Sequence, residues 1–240
     1  MVNLTVDGKN ISTPKGTMLL EAIRGAGISI PTLCAHEAVS RSGACRLCVV
    51  EIKKGNRTRI VTSCLYGAEE GLIVNTKSDR VLNVRRLVME LLLARCPESE
   101  VLQNLAKELC VEPQARFVAD TDKGKCILCR SCVRVCEEVV GVSAIGLFAR
   151  GSHKTVGTPY NEKSDVCIGC GACVYVCPTG HIEMTSTGDK GDKRKIWGRT
   201  FKMQTCSKCG KFFAPVDQLK FISKKTGVPL GELTVCTECR

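Results

Sequence analysis

Apolar and polar residues alternate through "NLTVDGKNIST" on both sides of Asp7-Gly8. Alternation around a two-residue Asp-Gly centre predicts a β-hairpin, which Pro14 and Gly16 close. The period then lengthens in "TMLLEAIRGAG", predicting a short amphipathic helix with Thr17 as N-cap and a glycine stop at Gly25 or Gly27. Strand-like stretches return at "CVVEI", "RTRIVT" and "GLIVNT". From Ser78 to Arg95 the period is helical again, with Val81, Val84, Val88, Leu91 and Leu92 on one face. A second helix is predicted from Glu98, carrying Val101, Leu102, Leu105 and Leu109. Cys96 and Cys110 fall at the ends of these helices and read as buried thiols rather than ligands. Near the C-terminus, Val216 to Lys225 places Leu219, Phe221 and Ile222 at helical spacing.

Hairpin, helix and further strands in that order suit a β-grasp, a mixed sheet wrapped over one helix. The whole chain reads as α+β and multidomain. A β-grasp domain is expected over 1–77, a helical connector over 78–115 and a ferredoxin-like domain over 116–185. A basic linker over 186–203 then leads to a zinc-ribbon-like module over 204–240.

Cysteine changes this picture most, with 18 in 240 residues against an aromatic content of 4%. Two runs, "CILCRSCVRVC" and "CIGCGACVYVCP", share the spacing C-x2-C-x2-C-x3-C. That spacing holds [4Fe-4S] clusters in two-cluster ferredoxins, where the fourth cysteine of each run serves the other cluster. The predicted sets are Cys126, Cys129, Cys132 and Cys177 for the first cluster, and Cys136, Cys167, Cys170 and Cys173 for the second. Pro178 follows the second run as in the standard motif, and Glu137 takes its place after the first. Upstream, Cys34, Cys45, Cys48 and Cys64 are spaced C-x10-C-x2-C-x15-C. Three thiolates on a glycine-containing loop with a distant fourth favour a [2Fe-2S] site, with structural zinc as the competing reading. Downstream, Cys206, Cys209, Cys236 and Cys239 form C-x2-C-x26-C-x2-C. Two such pairs suit one zinc ion, and a further iron–sulfur cluster is the alternative. His36 reads as a surface residue, and His153 and His181 have no ligand-like company.

The net charge is +11, and residues 190–202 hold six basic side chains (Lys190, Lys193, Arg194, Lys195, Arg199, Lys202) against Asp192 alone. Such a stretch reads first as a solvated linker, and otherwise as a patch that steers an acidic protein or holds nucleic acid. No apolar run reaches the roughly 18 residues of a membrane span. The segment "MVNLTVDGKN" lacks the layout of a secretory signal, so many cysteines imply metal ligation in a reducing, cytoplasmic setting. Neither a dinucleotide-binding G-x-G-x-x-G nor a P-loop occurs, and no catalytic residue set is visible.

A β-grasp with C-x10-C-x2-C, followed by helices and a double cluster motif, resembles a set of electron-relay proteins over residues 1 to about 185. These are the N-terminal part of the large iron–sulfur subunit of complex I, the small diaphorase subunit of NAD-reducing hydrogenases, and the N-terminal region of iron-only hydrogenases. Those families usually carry H-x3-C-x2-C-x5-C after the [2Fe-2S] domain. Here no histidine lies between Ser78 and Pro113, so that additional cluster is not expected. The resemblance implies a non-catalytic subunit of an NAD(P)-linked hydrogenase or formate dehydrogenase complex. Its partners would be a flavin subunit, a catalytic subunit and, in an electron-bifurcating form, free ferredoxin. A nucleic-acid-associated iron–sulfur protein and a stand-alone carrier are the alternatives.

Overall fold

The computed structural model describes residues 1–118, 124–188 and 191–240, in two compact units, Met1–Arg130 and Ser131–Arg240. Among the described residues no helix is long and apolar enough to cross a membrane.

In the first unit, β1 (Val2–Val6) and β2 (Lys9–Thr13) pair antiparallel, with Val6 opposite Lys9. Asp7 and Gly8 make the turn at φ 47° and 81°, the positive values a two-residue hairpin requires. β3 (Val49–Lys54), β4 (Arg57–Thr62) and β5 (Leu72–Asn75) complete a mixed sheet of order β2-β1-β5-β3-β4, in which only β1 and β5 run parallel. Helix α1 (Leu19–Gly25) packs Leu19, Leu20 and Ile23 against Leu4, Val6, Val50, Ile52, Leu72 and Val74. Its N-cap is Met18, without a side-chain cap, rather than Thr17. The Thr17 carbonyl instead accepts the Ala68 N–H at 2.9 Å, tying the helix start to the loop after β4. Cys48 and Cys64 belong to this core.

Helix α2 (Asp79–Arg95) starts on Ser78, whose hydroxyl accepts the Val81 N–H at 3.4 Å. Its inner face is Val81, Arg85, Met89 and Leu93, while Leu91 is exposed, so the stripe is rotated from the expected one. Met89 and Leu93 join Leu47 and Leu102 in a second core, and Arg85 is buried because two backbone carbonyls receive it. In α3 (Glu100–Glu108), Leu102 and Ala106 are buried and Val101 is exposed. Cys96 is buried in the same core as expected, but Cys110 is exposed. The Val111 N–H bonds to the Ala106 carbonyl and the Cys110 N–H to that of Lys107, a Schellman motif. That motif puts Cys110 at φ 53° beyond the helix end and sends Val111 inward in its place.

The second unit opens with α4 (Ser131–Arg134), which runs into a π-helical segment, Val135–Val140, ended by Gly141 at φ 79°. A short hairpin of β6 (Gly146–Phe148) and β7 (Thr155–Gly157) and the helical turn α5 (Ala172–Tyr175) follow. Residues 186–203, expected as a linker, are instead largely strand. β8 (Met184–Thr187), β9 (Lys193–Ile196), β10 (Arg199–Thr205) and β11 (Phe212–Pro215) form an antiparallel sheet of order β11-β10-β9-β8. The charged residues hid a period of two. Phe201 and Met203 point inward from β10, with Lys202 between them facing solvent. Lys190 of the basic stretch lies outside the described residues. Helix α6 (Val216–Thr226) follows β11, with Leu219 in a small core beside Ala214 and Leu233.

Candidate metal centres

The loop before β3 and the turn after β4 carry Cys34, Cys45, Cys48 and Cys64, all buried. They fall into two sulfur pairs. The Cys48 and Cys64 Sγ atoms are 3.3 Å apart. The Cys34 Sγ accepts the Cys45 N–H at 3.5 Å, and the Cys45 Sγ accepts the Leu33 N–H at 3.5 Å. Within each pair the hydrogen bond from the partner thiol pulls one group down, Cys34 to about 5 and Cys48 to about 6. The same contact, with burial second, pushes Cys45 and Cys64 up. Two pairs of crowded buried thiols, one member of each readily ionised, match the donor set of a two-iron centre. Gly43, at φ 59°, lets the loop pass beneath Leu65, whose Cδ1 would lie 2.5 Å from an added Cβ.

Arg85 holds this loop from below. Its Nε donates to the Leu47 carbonyl at 3.2 Å and its Nη2 to the Val49 carbonyl at 2.7 Å, one on each side of Cys48. The guanidinium is buried and burial lowers its pKa. Replacing Arg85 by Met should cost about 2–4 kcal/mol, because two buried carbonyls lose charge-assisted donors. Urea unfolding of the variant measures that loss, and unchanged stability would contradict it.

The second run lies in the second unit. Cys136, Cys167, Cys170 and Cys173 line one small cavity together with Ala144, Ile168, Gly169, Gly171, Ile196 and Trp197. Four thiols lining one cavity are the donor set that an iron–sulfur cluster requires. The π-helical segment supplies Cys136. Its carbonyl receives the Gly141 and Val142 N–H groups at 3.0 Å, and its Sγ receives the Ala144 N–H at 3.2 Å. Such π-helical turns recur at functional sites. Burial raises the Cys136 and Cys167 thiols and takes Cys173 up to about 11, so a metal's positive charge would have to hold them as thiolates.

The strands expected as linker clasp this loop. Arg194 donates to the Gly169 carbonyl at 3.1 Å. Arg199 donates to the carbonyls of Ser164, Asp165 and Cys167 at 3.0, 2.7 and 2.9 Å, and pairs with Asp217 of α6 at 3.1 Å. Phe201 packs against Gly169. Sequence reasoning missed Arg194, Arg199, Phe201 and Trp197 in this role. Their signal, alternation across a two-residue turn, lay under the charge count.

Of the first run, Cys126 and Cys129 close the first unit and Cys132 and Cys177 belong to the second. Arg95 donates to the Cys126 carbonyl at 3.0 Å and Ser42 to that of Cys129 at 3.5 Å. Cys132 is buried, and the half-buried Cys177 has its Sγ 3.8 Å from the Thr179 hydroxyl.

Cys206, Cys209, Cys236 and Cys239 bring their sulfurs within 4.8 Å of one another. Cys209 and Cys236 are 3.9 Å apart, close to the roughly 3.8 Å edge of a tetrahedron with 2.3 Å metal–sulfur bonds. The Cys206 Sγ accepts the Cys236 N–H at 3.3 Å, and backbone N–H groups, that of Cys236 first, draw its thiol down to about 6. This spacing suits a single ion. His36 is half-buried, its Nδ1 accepting the Ala38 N–H at 3.1 Å.

Two family descriptions match this chain. A 2Fe-2S iron-sulfur cluster binding domain covers residues 1–79, and a 4Fe-4S dicluster domain matches 125–181 and again 166–211. The chain therefore joins ferredoxin-type 2Fe-2S and 4Fe-4S domains. The solved NAD+-reducing [NiFe]-hydrogenase contains a similar chain, 32% identical, with a TM-score of 0.57 over 65% of this chain and 74% of that one. The chain belongs to this family of iron–sulfur electron-relay proteins. The NADPH-Fe(3+) oxidoreductase subunit alpha of Geobacter sulfurreducens is 34% identical over 87% of this chain and 27% of its own length. The NADP-reducing hydrogenase subunit HndD of Solidesulfovibrio fructosivorans is 35% identical over 76% and 36%. The chain thus spans about a quarter to a third of the length of these curated relatives.

Proposed function

We propose that this chain is the electron-transfer subunit of an NAD(P)-linked hydrogenase or formate dehydrogenase complex. It would relay single electrons between a flavoprotein subunit and a catalytic subunit, with free ferredoxin as a further partner if the complex bifurcates electrons, in the cytoplasm. The observation that carries this reading is the presence of a buried four-cysteine set in one unit and a four-cysteine cavity in the other, in a chain 32% identical to one in an NAD+-reducing hydrogenase.

The sheet of order β2-β1-β5-β3-β4 over α1 supports a β-grasp. In it, Cys34 with Cys45 and Cys48 with Cys64 would each bind one iron of a [2Fe-2S] centre. Cys136, Cys167, Cys170 and Cys173 would hold one [4Fe-4S] cluster. Assignment of the other to Cys126, Cys129, Cys132 and Cys177 rests on the motif's spacing. The sulfur spacing of Cys206, Cys209, Cys236 and Cys239 supports one structural zinc in a ribbon-like module. When bound, the clusters supply one-electron oxidation and reduction. The protein's own groups bind them as thiolates, seal them in apolar surroundings and direct N–H groups at the sulfurs.

Arg194 and Arg199 spend their donors on backbone carbonyls, which leaves the basic segment less cationic surface and weakens the nucleic-acid reading. The test is the complex purified anaerobically from its native source. NAD(P)H should produce the EPR signals of this chain's reduced clusters. A lone chain whose clusters NAD(P)H does not reduce in any fraction would contradict the proposal.

A further inference from the structure

Trp197 is the chain's single tryptophan. It occupies the two-residue turn Trp197-Gly198 between β9 and β10, at φ 52°. Such turns favour glycine, asparagine or aspartate, and a bulky residue at positive φ is disfavoured there. Strain of this kind persists where the surroundings demand the side chain.

The surroundings are specific. The ring lines the cavity shared by Cys136, Cys167, Cys170 and Cys173. Its Nε1 is shielded from solvent and has no acceptor within hydrogen-bonding distance among the described residues. A buried N–H in that condition is costly, and indole nitrogens normally find a partner. The thiol that the indole N–H faces, beyond hydrogen-bonding distance, is that of Cys173. On its outer side the same turn borders two open pockets, one lined by His181, Glu183 and Lys195 and the other by Thr158, Asn161 and Lys163. The indole is thus the wall between the cysteine cavity and the surface, with its donor on the cavity side.

We infer that the Trp197 indole N–H donates a hydrogen bond to a sulfur of the cluster held by Cys136, Cys167, Cys170 and Cys173, and so raises that cluster's reduction potential. The reduced cluster carries one more negative charge than the oxidised one, so a fixed donor stabilises it preferentially. One electron enters and no bond or proton changes hands. This inference rests on the [4Fe-4S] reading of those four cysteines.

The experiment uses the intact protein grown with indole-15N tryptophan, which labels one position only. In the reduced protein, ENDOR should show 15N and exchangeable-proton coupling to one of the two cubane signals. Trp197→Phe keeps the ring and removes the N–H. It should shift the midpoint potential of that cubane downward and leave the other cubane and the [2Fe-2S] centre unchanged. Two cubane signals with no 15N coupling, or a Trp197→Phe protein with all midpoints unchanged, would overturn the inference and leave the cluster assignment standing. Absence of cubane signals in the unsubstituted protein would instead remove the assignment, and the inference with it. If Trp197→Phe does not assemble its clusters, the labelled unsubstituted protein decides.

Discussion

Replacing Cys136 by Ala is expected to remove the cluster of the second cysteine run, not of the run in which Cys136 itself stands. The purified protein should lose about four irons and one cubane signal, while the [2Fe-2S] signal stays. The reason is local. The π-helical segment turns the Cys136 sulfur into the cavity of Cys167, Cys170 and Cys173, where the Ala144 N–H at 3.2 Å fixes it. Alanine keeps the helix but leaves that cavity with three thiols. EPR of Cys136→Ala beside Cys132→Ala checks the crossing. Both variants should lose a cubane, and the spectra should differ. Identical residual spectra would mean that one cluster takes all four cysteines of the first run.

Gly169→Ala carries the next largest effect. Gly169 sits at φ 67° between Cys167 and Cys170, and an added Cβ would lie 2.6–3.0 Å from atoms of the Phe201 ring. Phe201 is 1% exposed and cannot swing away. Left-handed backbone strain and overpacking add to a destabilisation of about 2–5 kcal/mol. The same displacement pulls Cys167 and Cys170 apart, so iron content should fall along with thermal stability. Gly210→Ala is the control. It shares a positive φ of 72° but has open space around the new methyl, so its cost should be strain alone, about 1 kcal/mol. Equal melting temperatures for the two variants would contradict the packing argument.

What the sequence revealed divides along physical lines. Features fixed by neighbours in the chain were legible. The Asp7-Gly8 turn and the helices expected from Ser78 and from Val216 all follow from local chemistry. Cysteine spacing likewise marked the sets that the structure gathers at Cys34–Cys64, around the cavity of Cys136 and at Cys206–Cys239. Features fixed by distant partners were not. The inner face of α2 is set by Arg85 reaching the Leu47 and Val49 carbonyls, which no helical periodicity reports. Cys110 looked apolar and terminal, and the Schellman turn exposes it. Within 186–203 the lysines and arginines outweigh the alternation of Ile196, Phe201 and Met203, so strand reads as linker. Two of those arginines face inward, where their charge serves the backbone of the second run.

We propose that the chain carries three iron–sulfur clusters and one structural ion. Iron, acid-labile sulfide and zinc, measured on one anaerobic preparation, test it most directly. About ten irons, about ten sulfides and about one zinc per chain are expected. About fourteen irons without zinc would contradict the single-ion reading of Cys206, Cys209, Cys236 and Cys239. Zinc without acid-labile sulfide would contradict the relay itself.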